Sequence, residues 1–377
     1  MTTLLSSLWD YIKKCDLGLL FIALLLSAVG LTAIYSAAQA MDGGSRFIMI
    51  QGLAIVIGLF AYFLVSAVDL EKFGDFWIWA YVFNLLFQLS LIFLGTAGET
   101  GNRSWIRLDK LGIPLGIQPA EIGKLIFIFT LSRHIYILKD KLDSLIALGQ
   151  LTAHTMVLVL VIYVISSDLG MCLAYLGIFV FMLFASGLSM KIFLPLCAAG
   201  GAALVPIWMF FLKGYQKVRI LVLFDPSVDP DIAFNGLRSM MTVGSGQLRG
   251  QGYLKGLMTQ HNRLPSKHTD FIFSTIAEEW GFIGAMVVLL ILTFLVWKIF
   301  LDAGKADNRF GYLMCIGIGA MFMVQILINV GMCLGIMPVI GLTLPFISYG
   351  GTSVMTMYAA LGMVSGLQMR KRPDRLK

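Results

Sequence analysis

Charge is what this 377-residue sequence has least of. Asp, Glu, Lys and Arg make up 13% of it, against 58% hydrophobic residues, and the mean hydropathy is +0.86. A soluble domain carries about 25% charged and about 45–50% apolar residues, so the composition excludes a soluble globular protein and indicates a membrane one. Cysteine is sparse too. Cys15, Cys172, Cys197, Cys315 and Cys333 are odd in number, form no C-x-x-C pair and, Cys15 excepted, lie in apolar runs, which leaves neither a disulfide framework nor a zinc site. His134, His154, His261 and His268 lack ligand spacing, and there is no dinucleotide-binding or P-loop fingerprint. The net charge of +7, from 28 Lys+Arg against 21 Asp+Glu, would suit nucleic acid, but the cations sit at the ends of apolar segments.

Ten apolar segments follow one another: Leu17–Tyr35, Phe47–Val68, Phe76–Leu94, Ile117–Leu138, Leu145–Ile165, Gly170–Gly187, Ile192–Leu212, Phe271–Trp297, Tyr312–Leu334 and Pro345–Gln368. Most reach the ~20 residues of a spanning helix; Gly170–Gly187 is short. The expectation is an all-α integral membrane protein of about ten transmembrane helices, a single polytopic domain over 1–377. Lys13 and Lys14 before the first segment and Ala38-Gln39-Ala40 after it imitate a secretion signal. The apolar run exceeds the roughly 7–15 residues of a signal core, so it reads as a retained anchor. With the N-terminus inside, fifteen cations fall at cytoplasmic ends and four (Arg46, Arg103, Arg107, Lys110) in short outer loops. The positive-inside rule then places both termini in the cytoplasm, and the run from Arg370 reads as a membrane-surface anchor.

One stretch escapes that rule by its length. Residues 213–270, before the eighth segment, form a 58-residue extracytoplasmic loop with eight cations and four acids. Its charge suits an anionic lipid head group, or is simply a solvated basic face. Gly244-Ser245-Gly246 and Gly250-Gln251-Gly252 would let backbone amides approach phosphate, or mark turns.

The loop ends at Leu264–Gly284, which passes from a proline turn through Lys267 and His268 to one carboxylate, Asp270, and then into Phe271-Ile272-Phe273. A carboxylate between cations and the mouth of an apolar helix is a candidate general base; it is equally an N-cap residue. Glu121 and Lys124, three apart behind Pro119, share a helix face. They read as a structural ion pair or as part of a substrate cleft. Arg103 is suited to gripping phosphate, Trp105 to anchoring at the interface, and Arg46 stands at the same end. Asp168 reads mainly as a helix cap. In Leu334–Ser353, prolines and glycines interrupt the helix, so the backbone there lines a cavity or is buried in protein. Ser348, Thr352 and Ser353 are its hydrogen-bonding side chains, and Asn329 precedes it.

These stretches together resemble the SEDS family (shape, elongation, division and sporulation proteins). The likeness covers nearly the whole chain. It is most specific at His268-Thr269-Asp270-Phe271-Ile272-Phe273, at the Q-P-x-E-x-x-K run Gln118–Lys124, and from Asn329 to Ser353; Gly101–Ile106 and Asn235–Gly252 also match. Where the family has Q-P-D-L-G, this chain has Ser166-Ser167-Asp168-Leu169-Gly170. The resemblance, nearest to the elongation (RodA) branch, implies a peptidoglycan glycosyltransferase. It would polymerise lipid II on the outer face of the bacterial cytoplasmic membrane during cell elongation. Asp270 is then the catalytic carboxylate, and Lys124, Glu121, Arg103, Arg46, Lys267, His268, Ser348 and Ser353 bind substrate. The resemblance also implies a class B penicillin-binding protein as partner and an assisting divalent cation, Mg2+ or Mn2+. No dedicated metal cage, organic cofactor or nucleic-acid partner is indicated. The alternatives are a lipid II flippase or the division- or sporulation-type paralogue.

Overall fold

The computed structural model describes residues 11–41, 43–97, 103–107 and 116–370. Asn102, Lys110 and the cations beyond Arg370 lie outside them. The chain is a helical bundle: α1 (Leu17–Gln39), α2 (Gly44–Ala67), α3 (Trp77–Leu89), α4 (Pro119–Ile137), α5 (Leu145–Ser166), α6 (Leu169–Ala185), α7 (Met190–Pro206), α8 (Gly214–Leu221), α9 (Pro230–Ser245), α10 (Ile272–Ala303), α11 (Arg309–Cys333) and α12 (Gly351–Met369). Three short antiparallel strands, β1 (Thr96–Ala97), β2 (Arg103–Arg107) and β3 (Gly116–Ile117), pair in that order between α3 and α4.

Seven of the described helical stretches are long and apolar enough to cross a membrane. They are α1, α2, the stretch Lys72–Leu94 around α3, α5, α7 with the turn after it, α10 and α11. The protein is therefore a multi-pass membrane protein. The other three expected segments are occupied by α4, which carries Glu121, Lys124 and Arg133, by the 17-residue α6, and by α12.

Polar residues set the helix ends. Asp16, Ser144, Asp168 and Asn308 each accept a backbone N–H of the turn they precede, and Pro119 opens α4, where its missing N–H costs nothing. At the centre stands α11, packed against α4, α6 and α10. Small residues let α2 and α12 touch by their backbones: a Cβ on Gly362 would lie 2.5 Å from Tyr62 O, and one on Gly366 2.8 Å from Ser66 O. By contrast α7 buries none of its residues.

The 213–270 loop is folded onto the bundle, and its glycines explain how. Within α10, Gly281 (φ 71°, ψ −172°) breaks the helix. Loop backbone fills the gap: Gln251 N donates to Glu278 O (2.9 Å), Gly252 N to Glu279 O (3.0 Å), Phe282 N to Gln247 O (2.8 Å) and Ile283 N to Leu248 O (3.2 Å). A side chain on Gly246, Gly250 or Gly281 would collide with this facing backbone. The phosphate reading of the glycine motifs is thereby corrected. The amides of Gln251 and Gly252 are bonded to α10 and that of Gly250 to Gly246 O, because buried backbone groups at a helix break must find partners. Glu278 completes the clamp, accepting from Met258 N (2.7 Å), Thr259 N (3.0 Å) and the Thr259 hydroxyl (2.6 Å). Glu279 accepts from Ser36 and Gln260.

Candidate active site

Asp270 stands one residue before the N-cap of α10, which is Phe271, and that cap has no side-chain bond. The capping role open in the sequence is therefore not the one Asp270 plays. Among the described residues Asp270 is hydrogen-bonded through its carbonyl, which accepts from Asn329 Nδ2 at 2.9 Å and from the Cys333 thiol at 3.6 Å. Its carboxylate is half-buried and takes no donor among the described residues.

What surrounds it is the broken-helix segment. The three residues Val339-Ile340-Gly341 touch three different parts of the bundle. Arg219 of α8 donates to Val339 O at 3.4 Å. Gly170, in the first turn of α6, packs on Ile340 O so closely that a Cβ would lie 2.9 Å away, and that Cβ would also be 3.3 Å from Asp168 Oδ1. Gly341 (φ +73°) faces Asp270, with Oδ2 3.5 Å from where a side chain would begin. Asn329 secures the arrangement with a second bond, to Leu342 O at 2.6 Å. Asp168 and Asp270 thus flank one short segment.

Asp168 does cap α6, accepting from Met171 N at 3.0 Å, and it also accepts from Gln118 Nε2 at 3.3 Å. Burial pushes its carboxyl up to about 6, with Glu121 adding to the shift and Lys124 opposing it. Burial likewise pushes Asp270 up to about 6, with the charge of Asp168 adding and Arg219 opposing. A half-buried carboxylate with no donor and a proton affinity near neutrality is suited to accept a proton from a hydroxyl.

The other expected residues fall into two groups. Arg46 is exposed in the first turn of α2 and near enough to Tyr349 to act on its hydroxyl. The His268 ring packs between Phe47 (4.7 Å between centroids) and Tyr349 (5.6 Å). Burial, then Lys267, lowers His268 to about 4, so it is neutral at pH 7, and its buried Nδ1 has no partner among the described residues. Glu121 and Lys124 form an ion pair at 3.0 Å, both fully buried. The Glu121–Lys124 pair acts on Asp168 through its charges.

The second group is engaged in holding the backbone. The Lys267 ammonium donates to Thr259 O and to Asn262 Oδ1 (2.7 Å) and is 2% exposed. The Ser348 hydroxyl donates to Thr269 O at 2.7 Å and accepts from Leu344 N at 2.8 Å. With Tyr349 N bonded to His268 O at 2.9 Å, it stitches the two signature stretches together. Ser353 pairs with Thr343 at 2.9 Å, and Thr352 donates to Gly116 O. Arg103 is exposed on β2 and donates to Ile92 O at 3.3 Å. Sequence reasoning missed Arg219, one loop cation among eight, and saw Asp168 mainly as a cap. The approach of the two aspartates to the same short segment had no signal in spacing.

The family model of the FtsW/RodA/SpoVE cell cycle proteins matches residues 16–373. The chain belongs to this family. Among its FtsW/RodA/SpoVE relatives, the peptidoglycan glycosyltransferase MrdB of Escherichia coli K12 is 29% identical over 371 residues, covering 97% of this chain and 96% of that protein. Stage V sporulation protein E of Bacillus subtilis is 31% identical over 373 residues, covering 95% and 98%. A solved chain of a peptidoglycan synthase complex that coordinates polymerization and crosslinking aligns with TM-score 0.76 and 28% identity over 94% of this chain and 97% of its own.

Proposed function

We propose that this chain is a membrane glycosyltransferase that polymerises lipid II into peptidoglycan strands, with Asp270 as the general base. The observation that carries the reading is the Asp270 carboxylate: half-buried, free of donors among the described residues, and raised by burial and then by the charge of Asp168. In the reaction, a hydroxyl oxygen of the acceptor sugar attacks the anomeric carbon of the donor. The bond from that carbon to the pyrophosphate oxygen breaks, its electron pair leaving with the pyrophosphate. The hydroxyl proton passes to Asp270. One base and one displacement invert the anomeric centre. The leaving pyrophosphate needs cations rather than an acid; Arg219 acts on Asp270 and Lys124 on Asp168.

Among the described residues no three His, Cys, Asp or Glu side chains gather as a metal cluster. Mg2+ or Mn2+ fits only in the mode that takes one or two carboxylates together with substrate phosphate. Asp168, whose oxygens keep acceptor capacity, would hold it, and the ion would neutralise pyrophosphate charge.

The site end of the bundle faces out of the cytoplasmic membrane and both termini face in. This is supported by Lys139, Lys141, Lys298, Lys305 and Arg309 at the opposite end. The partner is a class B penicillin-binding protein that cross-links the strands, and the branch is the elongation one.

The test is polymerisation of purified lipid II by the reconstituted protein, wild type beside Asp270→Asn, the transpeptidase partner present in both. Glycan from the wild type alone supports the reading. Glycan from both moves the base elsewhere, and glycan from neither favours lipid transport.

A further inference from the structure

Helices α8 and α9 do not close completely on the bundle. Between them and the chain from Met332 to Val339 runs a groove walled by Val222, Leu223, Leu237, Met240 and Met337, with Arg219 as its one charged residue. Its methionines are adaptable walls. Gly236 faces Val339 across it: a Cβ there would make an ordinary contact, 3.8 Å from the Val339 side chain, and a larger side chain would enter the groove.

Chain neighbours of its lining residues are exposed apolar groups: Phe224 (81% exposed) follows Leu223, and Ile336 (69% exposed) lies between Gly335 and Met337, and in a membrane protein such groups are surfaces for lipid. Within the groove, Arg219 bonds Val339 O, and two residues further Gly341 lies against Asp270 Oδ2. Two residues span about 7 Å of chain. The groove is therefore apolar, adjoins exposed apolar residues, and holds a guanidinium beside the candidate base.

We infer that this groove seats the first isoprenoid units of the lipid-linked donor, with its pyrophosphate on Arg219. The inference rests on the glycosyl-transfer reading, which requires the leaving pyrophosphate to be bonded to the carbon under attack. Its tail must then start beside the base, and this groove offers apolar walls next to that point. A guanidinium matches a pyrophosphate in charge and in its forked geometry, and an apolar channel with methionine walls accommodates methyl-branched isoprene.

The test has two parts. A photoactivatable polyprenyl pyrophosphate is cross-linked to the reconstituted wild type and the labelled peptides are mapped. Label on Leu237–Met240 or Met332–Val339, competed by polyprenyl pyrophosphate and not by phosphatidylglycerol, is expected. Label elsewhere, or equal competition by the phospholipid, overturns the inference. In the second part, Gly236→Leu and Arg219→Gln are compared with wild type for kcat and KM. Gly236→Leu should raise KM for long-tailed lipid II about tenfold with kcat within about threefold, and should lose the preference for a long tail over a four-isoprene one. Arg219→Gln should weaken binding of polyprenyl pyrophosphate and leave polyprenol unaffected. A folded Gly236→Leu protein with wild-type KM and tail preference overturns the groove assignment. Because labelling needs no turnover, correct labelling without polymer would retain the groove and defeat the glycosyl-transfer reading instead.

Discussion

Asn329 holds Asp270 by the backbone and leaves its carboxylate free. One buried amide on α11 donates to Asp270 O at 2.9 Å and to Leu342 O at 2.6 Å, so the chain bearing the base and the segment bearing Gly341 are tied to the same side chain. Asn329→Leu would leave Leu342 O unpaired, at about 1–3 kcal/mol, and Asp270 O with only the weak Cys333 thiol. The expected result is a fall of kcat by tenfold or more with KM little changed, together with a lower melting temperature. Unchanged kcat in a folded variant would remove Asn329 from the positioning of the base.

The pH dependence follows from the two aspartates. Asp270 acts as a base only when ionised, and burial with the Asp168 charge raises it to about 6. Polymerisation should therefore rise with pH through about 6 and level off above it. Asp168→Asn removes the like charge, so its profile should have a midpoint at lower pH. A midpoint that stays in place, or moves up, would contradict the coupling.

Stability should run the other way. A carboxyl whose folded value lies above its ordinary 3.8 favours the folded state least when ionised. Its cost is absent below about pH 4, grows between about 4 and 6, and is constant above. At about 1.4 kcal/mol per pKa unit, discounted for partial exposure, this is about 1–3 kcal/mol. Asp270→Asn should abolish polymerisation yet melt higher than wild type at pH 7.5 and not at pH 4. Thermal unfolding in detergent at the two pH values checks it.

The buried Glu121–Lys124 pair gives a separate expectation. With both side chains excluded from solvent, removing one partner leaves an uncompensated charge, at roughly 3–5 kcal/mol. Lys124→Met alone should express poorly, and Glu121→Gln with Lys124→Met should recover much of the lost melting temperature. Equal stability of the single and double variants would argue that water reaches the pair.

Gly281→Ala tests how the long loop is docked. At φ 71°, ψ −172° the backbone is in a region essentially reserved for glycine, and the new methyl would strike Gly250 N. The loop should release from α10, read as faster limited proteolysis between Gly246 and Asn262 with the rest of the bundle intact.

Much of the scaffold was legible because lipid, unlike water, imposes its requirement along the chain. The expected starts Leu17 and Leu145 are the first residues of α1 and α5, and Asp168 was visible as a cap because capping is local. Asp270 was legible as a lone carboxylate at the mouth of an apolar segment, but not as an uncapping one. That depended on Phe271 taking the N-cap position. The glycine motifs were left open between phosphate and turns because their partner, the break at Gly281, is encoded some thirty residues later.

By itself the sequence determined the membrane class, the helix positions and the single carboxylate entering α10, since composition, capping and periodicity act on neighbouring residues. Tertiary structure alone decided that Lys267 and Ser348 hold backbone while Arg219 and Asp168 reach the site. Hydrogen bonds and charges act over a few ångströms, and only the meeting of the loop with residues 339–349 sets which groups come within that range.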